Sequence, residues 1–158
     1  MADAPHTWMR KAIDLAIENV RSGHGGPFGA LVVKDGELIA TGVNSVTSRN
    51  DPTAHAEVMA IRNACRRLAT FQLSGCEIYT SCEPCPMCLS AIYWARPDGF
   101  YFACGREVAA AHGFEDAFID KELGRHPDER TIFCRQLVAE DGLRPFEEWK
   151  RSQRKIPY

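Results

Sequence analysis

The sequence predicts an α/β protein: a three-layer α/β/α sandwich built on a mixed central sheet. Three observations carry this expectation. Short runs of strand-forming residues alternate with stretches whose apolar residues recur at helical spacing. The first two runs sit close enough to form a hairpin, while later ones are separated by whole helices, so antiparallel and parallel pairings are both expected. The chain has 158 residues, a length that fits a single domain with its own core. Strand order is not legible at this level.

Thr7 can cap a first helix in which Met9, Ile13, Ala16 and Val20 share a face, and Ser22-Gly23 ends it. His24-Gly25-Gly26-Pro27 is a loop. Phe28 to Val33 reads as a strand, Lys34-Asp35-Gly36 as a hairpin turn, and Glu37 to Thr41 as the return strand. Asn44 to Thr53 is polar and turn-like, and Pro52 suits a helix start better than a helix interior. Val58, Ile61, Cys65 and Leu68 make Ala54 to Leu68 an amphipathic helix. Cys76 to Thr80 is a strand, Cys82 to Pro86 a loop, about Met87 to Ala95 a helix, and Gly99 to Cys104 a strand. Short helices are expected over Glu107 to His112 and Asp116 to Leu123, a final strand over Thr131 to Val138, and a terminal helix over Phe146 to Arg154.

The formal net charge is −2. A protein built to grip phosphate backbones is usually basic, so the charge argues against broad nucleic-acid binding. The basic stretch from Lys150 to Lys155 reads as a solvated helix end. Seven cysteines, an odd number, do not suggest a disulfide framework. Met1-Ala2-Asp3-Ala4-Pro5-His6 is neither a charged nor an apolar leader. No stretch approaches the roughly 18 apolar residues of a membrane span. The expected setting is the reducing cytoplasm, where thiols stay available for metal.

Two motifs carry chemistry. His55-Ala56-Glu57 stands at the start of the second long helix, and Pro84-Cys85-Pro86-Met87-Cys88 at the start of the next. Alone, the histidine reads as a cap or core residue, and the cysteines as buried thiols, a redox pair or half of a structural metal site. Together, in this order, they match His-x-Glu followed by Pro-Cys-x-x-Cys, the pattern of zinc deaminases. Cysteines three apart share a helical face, and a helix N-terminus favours the thiolates that bind metal. Pro86 costs no hydrogen bond in the first turn. His55, Cys85 and Cys88 are three ligands, which suits a catalytic Zn²⁺ with water in the fourth position; Cys82 is the residue that could instead close a structural set of four. Glu57, two residues beyond His55, is placed to take a proton from zinc-activated water and pass it to a ring nitrogen, then to carry a second to the leaving amine.

A family resemblance goes further. Gly25-Gly26-Pro27-Phe28-Gly29-Ala30, Asn50-Asp51-Pro52-Thr53-Ala54-His55-Ala56-Glu57, Ser81-Cys82-Glu83-Pro84-Cys85-Pro86-Met87-Cys88, Ala91-Ile92-Tyr93-Trp94-Ala95, Gly113-Phe114-Glu115-Asp116 and the terminal Tyr158 resemble bacterial guanine deaminases of the cytidine-deaminase-like fold. The resemblance covers nearly the whole chain. It implies zinc-dependent hydrolysis of a small purine base, guanine to xanthine and ammonia, as a step of purine metabolism. It implies one deaminase domain over 1–158, in a homodimer whose C-terminal segment, about 140–158, crosses to the partner. By the same resemblance Phe28, Asn44, Ala56, Trp94, Glu115 and Tyr158 surround the base, and Asp116 is a second acid beside Glu57. Glu115 stands where an aspartate is expected, so either acid can be the inward one.

The residues support parts of this on their own terms. Guanine presents adjacent donors, N1–H and the 2-amino group, and a carboxylate such as Asp116 offers only acceptors. Phe28 and Trp94 can stack on a flat ring or simply fill a core, and Asn44 can read a base or make a local turn bond. Other deaminase substrates, namely tRNA adenosine, cytosine, a purine nucleoside or a triazine, remain open, as does a non-catalytic structural zinc module.

Overall fold

A computed structural model describes residues 4–158. The leader-free reading of Met1-Ala2-Asp3 lies outside them. The chain divides into two compact units, Met1–Asp116 and Ala117–Tyr158.

The first unit holds the sandwich. Its outer layer is the helix α1 (Ala4–Arg21). Strands β1 (Gly29–Lys34) and β2 (Glu37–Val43) form the expected hairpin. Asp35 and Gly36 both have positive φ, 51° and 75°, the backbone that a two-residue turn needs to match strand twist. After a short helix α2 (Val46–Arg49) come α3 (Ala56–Leu68), β3 (Cys76–Cys82), α4 (Pro86–Ala95), β4 (Gly99–Cys104) and α5 (Arg106–Ala111). The strand order is β2-β1-β3-β4. β1 pairs antiparallel with both β2 and β3, and β3 pairs parallel with β4, so the sheet is mixed as expected.

Side chains alternate across the sheet and divide the core in two. Leu31, Val33 and Tyr79 face α1 and meet Ala12, with Trp8, Met9 and Leu15 around them. Ala30, Val32 and Ile78 face the other way and meet Ala56, Ala60 and Ala64 of α3 and Ile92 of α4. The buried stripe of α1 runs through Ala12, Ala16 and Asn19, while Val20, expected inside, is half exposed. Small residues let both helices sit directly on the sheet. A Cβ at Gly29 would lie 2.5 Å from the Ala12 carbonyl oxygen, and one at Gly42 would overlap the Ala56 carbonyl oxygen and the Ala60 nitrogen. The α3 backbone therefore rests against β2, and this close seat fixes where His55 and Glu57 emerge.

The second unit contains α6 (Ala117–Leu123) and α7 (Arg144–Arg151), with single 3-10 turns at Pro127–Glu129 and Asp141–Leu143. The Glu122 carboxylate accepts the Thr131 N–H at 2.8 Å and its hydroxyl at 2.9 Å. The strand expected over Thr131 to Val138 does not form. A strand needs a ladder partner for its backbone, and this unit holds none among the described residues. No helix among the described residues is long and apolar enough to cross a membrane.

Candidate metal centre and active site

Two helix starts converge beside the sheet. His55 is the residue before α3 and Cys85 the residue before α4, both with extended backbone, and neither side chain caps its own helix. Pro86 opens α4, and Cys88, one turn in, is fully buried. The ligand atoms of His55, Cys85 and Cys88 lie within 4.8 Å of one another, and among the described residues no fourth ligand joins the cluster. His55 turns Nδ1 to both sulfurs, 3.6 Å from Cys85 Sγ and 3.5 Å from Cys88 Sγ. A tetrahedral zinc with usual bond lengths has N···S edges of about 3.6 Å, so this donor set fits the ion in chemistry and in spacing.

The protonation of the cluster points the same way. Cys85 is drawn down to about 4, because the Cys88 thiol donates to its thiolate and His55 stands beside it. Cys88 is pushed up by that same bond and by burial. His55 is raised, chiefly by its hydrogen bond with Cys85. Without metal, protons thus bridge the three groups; a dication held by His55, Cys85 and Cys88 would replace those protons. Cys82 stands apart: its Sγ is directed to the Gly105 carbonyl oxygen at 3.7 Å, and burial pushes its thiol up to about 12.

Glu57, on the first turn of α3, is buried at 5% exposure, and burial raises its pKa. The Thr80 hydroxyl of β3 lies 3.3 Å from its Oε1 and 3.1 Å from the Cys82 carbonyl oxygen. The carboxyl therefore sits in a dry place, steadied from the sheet side.

A cavity of about 510 Å³ opens at His55, lined by Gly25, Gly26, Asn44, Val46, Thr47 and Phe114 among others. That volume is in the range of small-molecule sites, about 300–1,000 Å³. Asn44 Oδ1 accepts the N–H of Gly26 at 3.4 Å and of Val46 at 3.3 Å, which leaves the amide NH₂ to donate. Phe28 meets Phe114 edge-to-face, with ring centroids 4.9 Å apart. Asp116, two residues beyond Phe114, is half-buried and acts electrostatically on His55. Its Oδ1 accepts Arg106 Nε at 2.8 Å and Nη2 at 2.5 Å. Glu115 is exposed.

The structure thus gathers His55, Glu57, Cys85, Cys88, Asn44, Phe28 and Asp116 in one region. Ala56 packs into the core between α3 and the sheet. Trp94 lies elsewhere, two-thirds exposed in a surface recess of α4 with Ser90, Tyr93 and Arg96. Tyr158 belongs to the second unit and is exposed.

Residues 3–104 match the family model of the cytidine and deoxycytidylate deaminase zinc-binding region. The chain belongs to this zinc-dependent deaminase family. It is therefore a hydrolytic enzyme with zinc as its cofactor, and His55, Cys85 and Cys88 are the grouped donors that could hold the ion. Within the family it is 53% identical to the guanine deaminase of Bacillus subtilis over 152 residues, 96% of this chain and 97% of that one. An X-ray structure of that guanine deaminase superposes with a TM-score of 0.95 at 52% identity, covering 97% of this chain and 98% of the other. The tRNA-specific adenosine deaminase of Agrobacterium fabrum is 45% identical over 125 residues, 79% of this chain and 82% of its own.

Three residues of this deaminase escaped the sequence reading. Asn19 donates from Nδ2 to the carbonyls of Gly26 at 2.8 Å and Asn44 at 2.9 Å, tying two cavity loops to α1. Its signal was a polar residue on a buried helical stripe. Thr80 and Arg106 carried none, since their roles depend on partners 23 and 10 positions away.

Proposed function

We propose that this deaminase hydrolyses guanine to xanthine and ammonia. The observation that carries the reading is the near full-length similarity to guanine deaminase, joined to a carboxylate, Asp116, that acts electrostatically on His55, a residue of the cavity where Asn44 offers an amide donor.

Zinc, when bound, acts as a Lewis acid and makes water nucleophilic at neutral pH. Glu57 accepts a proton from the attacking water. It delivers that proton to the ring nitrogen beside the attacked C2; N1 already bears hydrogen, so N3 receives it. Glu57 then conveys the second proton to the departing amine, and ammonia leaves. Asp116 accepts from the N1–H and amino edge, and the Asn44 NH₂ donates to a ring or carbonyl acceptor. Adenine and cytosine put an acceptor nitrogen beside their amine, which an ionised carboxylate repels. Phe28 and Phe114 give the base an apolar wall.

The same similarity supports one deaminase domain, acting in purine metabolism in the cytoplasm as a homodimer. In it the segment about 140–158 passes to the second copy and lays Tyr158 over that copy's base. Phe146 and Trp149, one turn apart on α7, are exposed apolar side chains in this segment, and Tyr158 at its end is exposed too. Trp94 and Glu115 remain proposed lining residues on the strength of the resemblance.

The test is ammonia release from guanine, guanosine, adenosine and cytosine by zinc-loaded enzyme, with Asp116→Ala alongside. Guanine is expected to be turned over preferentially, and Asp116→Ala to abolish that turnover with zinc retained. Turnover of adenosine or cytosine in preference to guanine overturns the assignment.

A further inference from the structure

Asp116 does not stand alone. Arg106, the first residue of α5, sends both Nε and Nη2 to one oxygen of Asp116, Oδ1. Such a charge-assisted pair is stronger than a neutral hydrogen bond and has a fixed direction, because the guanidinium is planar. The Arg106 backbone is itself anchored: its N–H donates to Glu83 Oε2 at 3.3 Å, and the Glu83 N–H donates to the Cys104 carbonyl oxygen at 2.8 Å. Glu83 lies between Cys82 and the ligand Cys85. A continuous chain of bonds therefore links the metal loop, through Glu83 and Arg106, to the Asp116 carboxylate. On the far side the segment is held by Phe114 against Phe28.

We propose that Arg106 is a positioning residue that sets the enzyme's preference for a base with a donor edge, by clamping Asp116 through Oδ1 and presenting Oδ2 to the substrate. This rests on the guanine reading above. An unclamped aspartate can rotate and can bring either oxygen, or neither, to the N1–H edge. The guanidinium removes that freedom without touching the base, so it acts on substrate only through Asp116.

The experiment uses full-length, zinc-loaded enzyme and the variants Arg106→Gln, Arg106→Lys, Asp116→Asn and Arg106→Gln with Asp116→Asn. Guanine kcat/KM, xanthine affinity by calorimetry, zinc content and Tm are measured for each. Arg106→Gln is expected to lose roughly tenfold to a hundredfold in kcat/KM, the scale of a charged hydrogen bond. Zinc content and Tm should stay near wild type. Arg106→Lys should recover part of the loss, since it returns the charge but not the fork. In the Asp116→Asn background, Arg106→Gln should add little to the weakening of xanthine binding, because the two residues act as one unit. The proposal is overturned if Arg106→Gln stays within twofold of wild type, or if it costs the same factor with and without Asp116. It is equally overturned if the loss only follows lost zinc or a lowered Tm. If wild type turns over a different base instead of guanine, the substrate assignment fails by itself, and the same cycle run on that base decides the clamp.

Discussion

Glu57→Gln isolates the proton-carrying role proposed for Glu57. The amide has nearly the shape of the carboxyl and can keep the 3.3 Å contact with the Thr80 hydroxyl, but it cannot accept and return a proton. General acid–base catalysis contributes about 10²–10⁴ in rate, or roughly 2.7–5.5 kcal/mol. The structure places this site at the upper end. Glu57 is 5% exposed, so solvent offers no ready substitute, and the nearby acid, Asp116, is already held by Arg106. A fall in kcat of about 10³–10⁴ is expected, with zinc content unchanged because Glu57 is not a ligand. Stability adds a second readout. Burial raises the Glu57 pKa, so in the metal-free protein the unfolded chain ionises first as pH rises. Stability then falls between the ordinary carboxylate pKa and the raised one. At pH 7 metal-free Glu57→Gln should therefore melt above metal-free wild type, while below about pH 4 the two should converge. Ammonia release, metal analysis and calorimetric melting check all three. Turnover within tenfold of wild type in a zinc-replete variant refutes the assignment of Glu57 as proton carrier.

Three further outcomes are expected. Cys88→Ala should lose zinc on dialysis against a chelator while Cys82→Ala keeps it, because the Cys82 thiol faces Gly105 and not the cluster; metal analysis of both decides, and zinc loss from Cys82→Ala would restore the four-ligand alternative. Gly42→Ala should cost about 1–3 kcal/mol and lower Tm by roughly 2–12 °C, since its methyl meets the α3 backbone at Ala56 and Ala60; an unchanged melting curve counts against the close helix–sheet seat. Removing the last three residues, Ile156 to Tyr158, should raise KM for guanine with zinc retained; unchanged kinetics rule out a lid built from the tail.

Much of the molecule was readable from local pattern. The hairpin followed from Asp35-Gly36, because only a few residue types accept two successive positive φ angles. The cysteines three apart across the start of α4, and a histidine and glutamate two apart across the start of α3, pointed to metal chemistry because a helix start brings such spacings to one side. Local pattern misled where it lacked a partner. Val20 and most of the Thr131–Val138 run are apolar, yet nothing in the chain's own sequence says which surface lies opposite.

What the sequence determined by itself was the order of the main helices and strands from α1 to β4 and the motifs that nominate His55, Cys85 and Cys88 for zinc and Glu57 for proton transfer, all encoded within a few consecutive residues. The tertiary structure decided the strand order β2-β1-β3-β4, the position of Cys82 outside the His55–Cys85–Cys88 group, the freeing of the Asn44 amide and the pairing of Arg106 with Asp116. Each of those depends on atoms brought together across tens of residues. Propensity and periodicity act over a few neighbours, so only the packed chain could settle them.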